Sequence, residues 1–81
     1  MSVIKVKLIT KTNCPFCDKA KALLRESGIE FSTQDVTDNE KYCALMKQKG
    51  WTVPRVWVGD KFIGGYSDLC DYLIEEGLVR L

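Results

Sequence analysis

The stretch from Val3 to Val36 constrains the fold more than any other part of the chain. Val3 to Ile9 alternates, with Ile4, Val6 and Leu8 on one face and a mixed face of Lys5, Lys7 and Ile9 opposite. That is the period of a strand. Thr10 to Asn13 is a polar connection. Pro15 can then open a helix, because the N–H it lacks would have no partner there. Ala20, Leu23 and Leu24 supply an apolar stripe, and Gly28 stands where a terminating glycine belongs. Ile29 to Val36 reads as a second strand, with Ile29, Phe31 and Thr33 on one face. A strand, a helix and a strand in so short a span require a parallel pair joined by a right-handed crossover.

The remainder changes period twice. Thr37 or Asp38 can cap a second helix whose stripe is Tyr42, Leu45, Met46 and the stem of Lys49, with Gly50 ending it. Val53 to Val58 is β-branched and aromatic, Gly59-Asp60 is a two-residue turn, and Lys61 to Ile63 completes a hairpin. Gly64-Gly65 breaks that strand, and Ser67 can cap a third helix from Asp68 to Glu76. Leu69, Leu73 and Ile74 face inward there, and Gly77 stops it. The order β-α-β-α-β-β-α gives an α/β fold with a four-stranded mixed sheet flanked by three helices. That is the outline of a thioredoxin-like fold. At 81 residues, a single domain over residues 1–81 is expected.

Composition narrows the chemistry. Hydrophobic residues at 46% and charged residues at 28% suit a soluble globular chain and exclude disorder. A net charge of +1 provides no field that would gather nucleic acid or a membrane surface. Lysines interrupt the apolar start, so it lacks the core of a signal peptide, and no run approaches the ~18 apolar residues of a membrane span. A cytoplasmic location is therefore expected, where a close cysteine pair is catalytic or metal-binding more often than structural. With no histidine at all, the chain has no imidazole base and no Cys₂His₂ zinc site. Thiols or backbone must do the work.

Cys14-Pro15-Phe16-Cys17 falls where the first strand hands over to the first helix. Free N–H groups and the macrodipole at a helix start favour negative charge, hence a thiolate. Cys14, ahead of the helix, is expected to be the exposed attacking thiol, and Cys17, one turn on, the resolving one. Pro15 stiffens the turn between them, and Lys11 can add positive charge nearby; Lys19 and Lys21 read as solvated helix surface. Two competing readings are half a zinc site and a structural disulfide. Zinc would need two more ligands, and only Cys43 and Cys70 remain, on separate helices, so no metal is expected. A structural disulfide here closes too short a loop to stabilise much. Cys43 and Cys70 read as small buried hydrophobes, with a regulatory or glutathionylated thiol as the sharper alternative.

Cys14-Pro15-Phe16-Cys17, Thr52-Val53-Pro54 and Gly64-Gly65-Tyr66-Ser67-Asp68, in this order, resemble a glutaredoxin of the dithiol type over almost the whole chain. Phe16 departs from the family's usual tyrosine, keeping the ring and losing the phenol. The resemblance implies that Cys14 is the nucleophile and Cys17 the resolving thiol. It implies that Val53, before a cis Pro54, pairs its backbone with the cysteinyl part of glutathione, with Phe16 and Thr52 beside it. It places the γ-glutamyl carboxylate against Gly65, Ser67 and Asp68 at a helix start, a position suited to an anion. It sets Lys11 near the glycine carboxylate. Arg55 can be surface charge or a second glutathione contact, Tyr66 packing or groove wall. Pro54 alone could begin a strand, and Trp51 and Trp57 fit core or edge positions.

The implied activity is glutathione-dependent thiol–disulfide oxidoreduction on protein disulfides and glutathione mixed disulfides. No cofactor is tightly bound, and glutathione is the reducing co-substrate. The resemblance suggests ribonucleotide reductase as one recipient of electrons, and the chain is expected to act as a monomer. A redoxin reduced by thioredoxin reductase is the nearest alternative. An iron–sulfur carrier is a further one, which Cys17 and Pro15 oppose.

Overall fold

Alternation in the first strand divides the molecule into two packed layers. The structure, a computed structural model, describes residues 5–78. Strand β1 (Val6–Thr10) buries Val6 and Leu8 on one face and Ile9 on the other. Val3 and Ile4, counted above in this strand, lie outside the described residues. Helix α1 (Pro15–Glu26) returns the chain to β2 (Phe31–Asp35), which lies parallel to β1. Helix α2 (Glu40–Lys49) leads to β3 (Arg55–Val58), antiparallel to β1. A turn at Gly59-Asp60 gives β4 (Lys61–Gly64), antiparallel to β3, and α3 (Tyr66–Glu75) closes the fold. The sheet order β2-β1-β3-β4 is the mixed, four-stranded arrangement expected from the sequence.

Helices α1 and α3 cover the face that carries Val6, Leu8 and Val56. Ala20, Leu24, Leu69 and Leu73 complete this core, each with essentially no exposed surface. The spacing of Cys17, Ala20 and Leu24 gathers one narrow stripe of α1 toward the sheet. Each leucine buried in this way contributes roughly 1.5–3 kcal/mol of transfer free energy. On the other face Ile9, Val36 and Met46 form a smaller cluster, with Tyr42, Trp51 and Val53 packed against it. Helix α2 thus covers the part of the sheet near β1 and leaves the β3–β4 part of that face less protected.

Several boundaries differ from expectation. The cap of α2 is Asn39, whose Oδ1 accepts the Tyr42 N–H at 2.9 Å, and not Thr37 or Asp38. Thr37 is committed elsewhere: its N–H donates to Asp35 Oδ1 at 2.8 Å, and its hydroxyl accepts the Thr12 N–H at 2.8 Å. Helix α3 begins at Tyr66 with Gly65 as its cap, two residues before the expected start, so Ser67 sits inside the first turn. The Asp68 carboxylate reaches back to accept the Gly65 N–H at 3.0 Å, which satisfies a donor that would otherwise have needed a capping side chain. Strands β2 and β3 start later than their apolar runs, at Phe31 and Arg55.

Burial differs too. Ile74 and Leu45 are exposed, because each helix is covered on one side only and a single stripe fills that side. Thr33 is exposed on the edge strand β2. Cys43 and Cys70 are half-buried and not core.

Candidate active site

The turn into α1 builds the site from local rules. Asn13 adopts the left-handed region (φ 58°), which asparagine tolerates better than most residues, and Cys14 follows as the helix cap. Pro15 takes the first helical position, as expected. The Cys17 N–H donates to the Cys14 sulfur at 3.1 Å, so the sulfur occupies the place of a capping oxygen. Cys14 and Cys17 are joined as a disulfide, with Cα atoms 5.2 Å apart. Cys17 is buried and Cys14 half-buried, so Cys14 is the more accessible of the pair but less open than expected. Its cover is the loop before β3, where the Val53 carbonyl oxygen lies 3.8 Å from the Cys14 sulfur.

A network that gives no sequence signal holds the loop ahead of Cys14. The Thr12 hydroxyl donates to Asp35 Oδ2 at 3.3 Å, and the Thr37 hydroxyl reaches the Thr12 hydroxyl at 3.1 Å. The Thr37 side chain, then its backbone N–H, hold the exposed Asp35 carboxyl below the usual carboxylate range. The ends of β1 and β2 are tied together just before the cysteine pair. A threonine at each of two loop starts is too common a pattern to have suggested this.

Beside Cys14 lies a groove of about 460 Å³, lined by Phe16, Thr52, Val53, Pro54, Gly65, Tyr66, Ser67 and Asp68. The Val53–Pro54 peptide is cis, as the family resemblance implied. All but one of the expected ligand-side residues therefore meet on a single surface. The exception is Lys11, half-buried after β1 and not part of the groove lining. Tyr66 joins the groove wall, its ring centroid 5.9 Å from that of Phe16. The neighbouring Cys70, by its side-chain hydrogen bond first and its charge second, pushes the Tyr66 phenol up from the ordinary value. Lys19, expected to be mere helix surface, sits with its Nζ 5.0 Å from the Phe16 ring centroid. Gly64 (φ 133°) lets the chain fold back on itself, because a Cβ there would collide with the Asp68 carboxylate.

A cysteine pair at a helix start, facing a groove that ends at a second helix start, can exchange disulfides and hold a small anionic thiol. Residues 6–63 match the family model described as Glutaredoxin. The chain belongs to the glutaredoxin family. Glutaredoxin 3 of Escherichia coli is 38% identical over 79% of this chain and 80% of its own length. The hybrid peroxiredoxin hyPrx5 of Haemophilus influenzae is also 38% identical, over 83% of this chain; the match spans only 28% of that longer protein. Among solved structures, glutaredoxin 1 from Francisella tularensis superposes with a TM-score of 0.74 at 31% identity, covering 93% of this chain and 96% of that one. A buckwheat glutaredoxin–glutathione complex gives 0.72 at 28% identity, covering 93% and 73%. This glutaredoxin is therefore a thiol–disulfide oxidoreductase with the thioredoxin-like fold, and Cys14–Cys17 is its C-x-x-C pair. Among its described residues no helix is long and apolar enough to cross a membrane.

Proposed function

We propose that this glutaredoxin reduces protein disulfides and glutathione mixed disulfides, drawing electrons from glutathione. One observation carries the reading: the Cys14 sulfur faces the Val53 carbonyl at the mouth of a groove that ends at the start of α3. A γ-glutamyl-cysteinyl thiol has matching parts, a sulfur to exchange, a peptide unit for the Val53 main chain and a carboxylate for Gly65, Ser67 and Asp68. The buckwheat relative solved with glutathione supports the same ligand class.

The steps balance without a base. Cys14 thiolate attacks a substrate disulfide, forming a Cys14–substrate bond and releasing one substrate thiolate. Cys17 then attacks Cys14, releasing the second substrate thiol and leaving the Cys14–Cys17 disulfide. One glutathione opens that disulfide as an adduct on Cys14, and a second removes it as glutathione disulfide. The Cys17 N–H stabilises the Cys14 thiolate whenever it appears. For a glutathionylated substrate, Cys14 alone suffices. Lys11 adds positive charge toward the glycine carboxylate. In this reading the chain acts as a monomeric single domain in the cytoplasm, where a thiol reductant is at hand, and ribonucleotide reductase is one disulfide-bearing enzyme it would serve.

The test is a pair of coupled assays on the oxidised protein. Millimolar glutathione with glutathione reductase is expected to sustain NADPH consumption on a disulfide substrate. Turnover only with thioredoxin reductase would replace glutathione as the reductant.

A further inference from the structure

Arg55 lies over two aromatic rings. Its guanidinium carbon lies 3.9 Å from the Trp51 ring centroid and 4.5 Å from that of Phe62. Its Nε is buried and has no hydrogen-bond partner among the described residues. Contact with the rings does not use up the guanidinium's N–H donors, and a carboxylate can take two of them at once.

The stack opens onto a hollow of about 410 Å³ that adjoins the groove beside Cys14, since Thr52, Pro54 and Gly65 line both. A second hollow of about 600 Å³ shares Trp51 and Arg55 and adds Lys7 and Asp60, so two cations face one carboxylate there. Both hollows lie on the Arg55 and Trp57 face of the sheet, the first against β3 and β4 and the second reaching across β1 to Tyr42 and Leu45 of α2. From the Cys14 sulfur to Val53 is 3.8 Å, and Arg55 follows two residues later. An extended chain advances roughly 3.3 Å per residue, so two or three residues span that distance.

We propose that the Trp51–Arg55–Phe62 stack is a specificity subsite for protein substrates, taking the side-chain carboxylate of an Asp or Glu two or three residues from the reactive cysteine. The proposal rests on the reading of Cys14 as the attacking thiol. A polypeptide is the occupant because the hollow lies beyond Pro54, outside the groove that a small thiol fills. Charge complementarity and continuity with that groove both favour an acidic chain segment.

The test needs no glutathione. Reduced protein is mixed with the disulfide-linked dimers of three short peptides carrying Glu, Gln or Lys at the second and third positions from cysteine. Each dimer becomes two thiols as Cys14 and Cys17 become a disulfide, followed by acid quench and mass spectrometry. The expected order is Glu, Gln, Lys, with the Glu peptide about tenfold faster than the Lys peptide, the equivalent of ~1.4 kcal/mol. Added salt shrinks that ratio. Arg55→Gln brings it within about twofold, Arg55→Lys keeps part of it, and Arg55→Glu inverts it. A wild-type protein oxidised at Cys14–Cys17 with no preference among the peptides would overturn the subsite and leave the cysteine chemistry standing. So would an Arg55→Gln variant slowed equally on all three. Failure of the pair to oxidise with any peptide would sink the attacking-thiol reading, and the subsite with it.

Discussion

Replacing Cys14 with serine is expected to take glutathione-dependent disulfide reduction down to assay background, a loss of roughly four orders of magnitude or more, as when other covalent nucleophiles are removed. The cause is chemical and local. A helix start can favour a thiolate, but it cannot ionise an alcohol, so the variant would present a neutral hydroxyl to the incoming sulfur. The fold should survive, because a serine oxygen is a good helix cap and can accept the same Cys17 N–H. Cys17→Ser provides the contrast. The donor on Cys14 belongs to the backbone of residue 17, so it persists, and removal of glutathione from glutathionylated peptides should fall by no more than a few-fold. Reduction of a protein disulfide, which needs the second thiol to resolve the intermediate, should be lost. Activity surviving in Cys14→Ser would show that another thiol attacks.

Leu24→Ala should have the largest effect on stability. Leu24 is wholly buried between α1 and the sheet, in contact with the cluster that also holds Leu8, Leu69 and Leu73. Removing its side chain loses the transfer free energy and leaves a cavity that a rigid four-stranded sheet cannot close, for about 2–5 kcal/mol. A domain of this size has roughly 4–12 kcal/mol in total, so the loss is a large share. Thermal unfolding should move down by roughly 10 °C or more. Ile74→Ala, on the exposed side of α3, is the natural control and should shift the midpoint little. Equal shifts for the two variants would contradict the assignment of the core.

The element order was legible because glycine and proline punctuate it. Pro15, Gly28, Gly50, Gly59 and Gly77 stand at starts, stops and turns that few other residues make easily, and the first strand alternates on the face it turns to the core. Helix starts were harder to place, since several polar residues compete for each cap and long-range bonds decide the winner. Thr37 loses to Asn39 because Thr12, far back in the chain, has already taken its hydroxyl. Ser67 loses to Gly65 because Asp68 serves the orphan N–H instead.

The same division applies to the site. Cys14, Cys17, Val53 and Asp68 carry motifs that can be read in one dimension. For Arg55 the sequence alone does not separate surface charge from a second glutathione contact, and its setting explains why. It depends on Trp51, just past the end of α2, and on Phe62 of β4, and the three residues have no joint signature until the fold brings them together. Lys11 owes its place near the glycine carboxylate to the family resemblance alone, since the chain keeps it out of the groove lining itself.

The most direct measurement of the central claim is the site of glutathione attachment. Cys17→Ser, incubated with glutathione disulfide and then digested without reductant, should carry one glutathionyl group, on the peptide that contains Cys14, while Cys43 and Cys70 remain free. An adduct on Cys43 or Cys70 in place of Cys14, or none on any cysteine, would contradict the account.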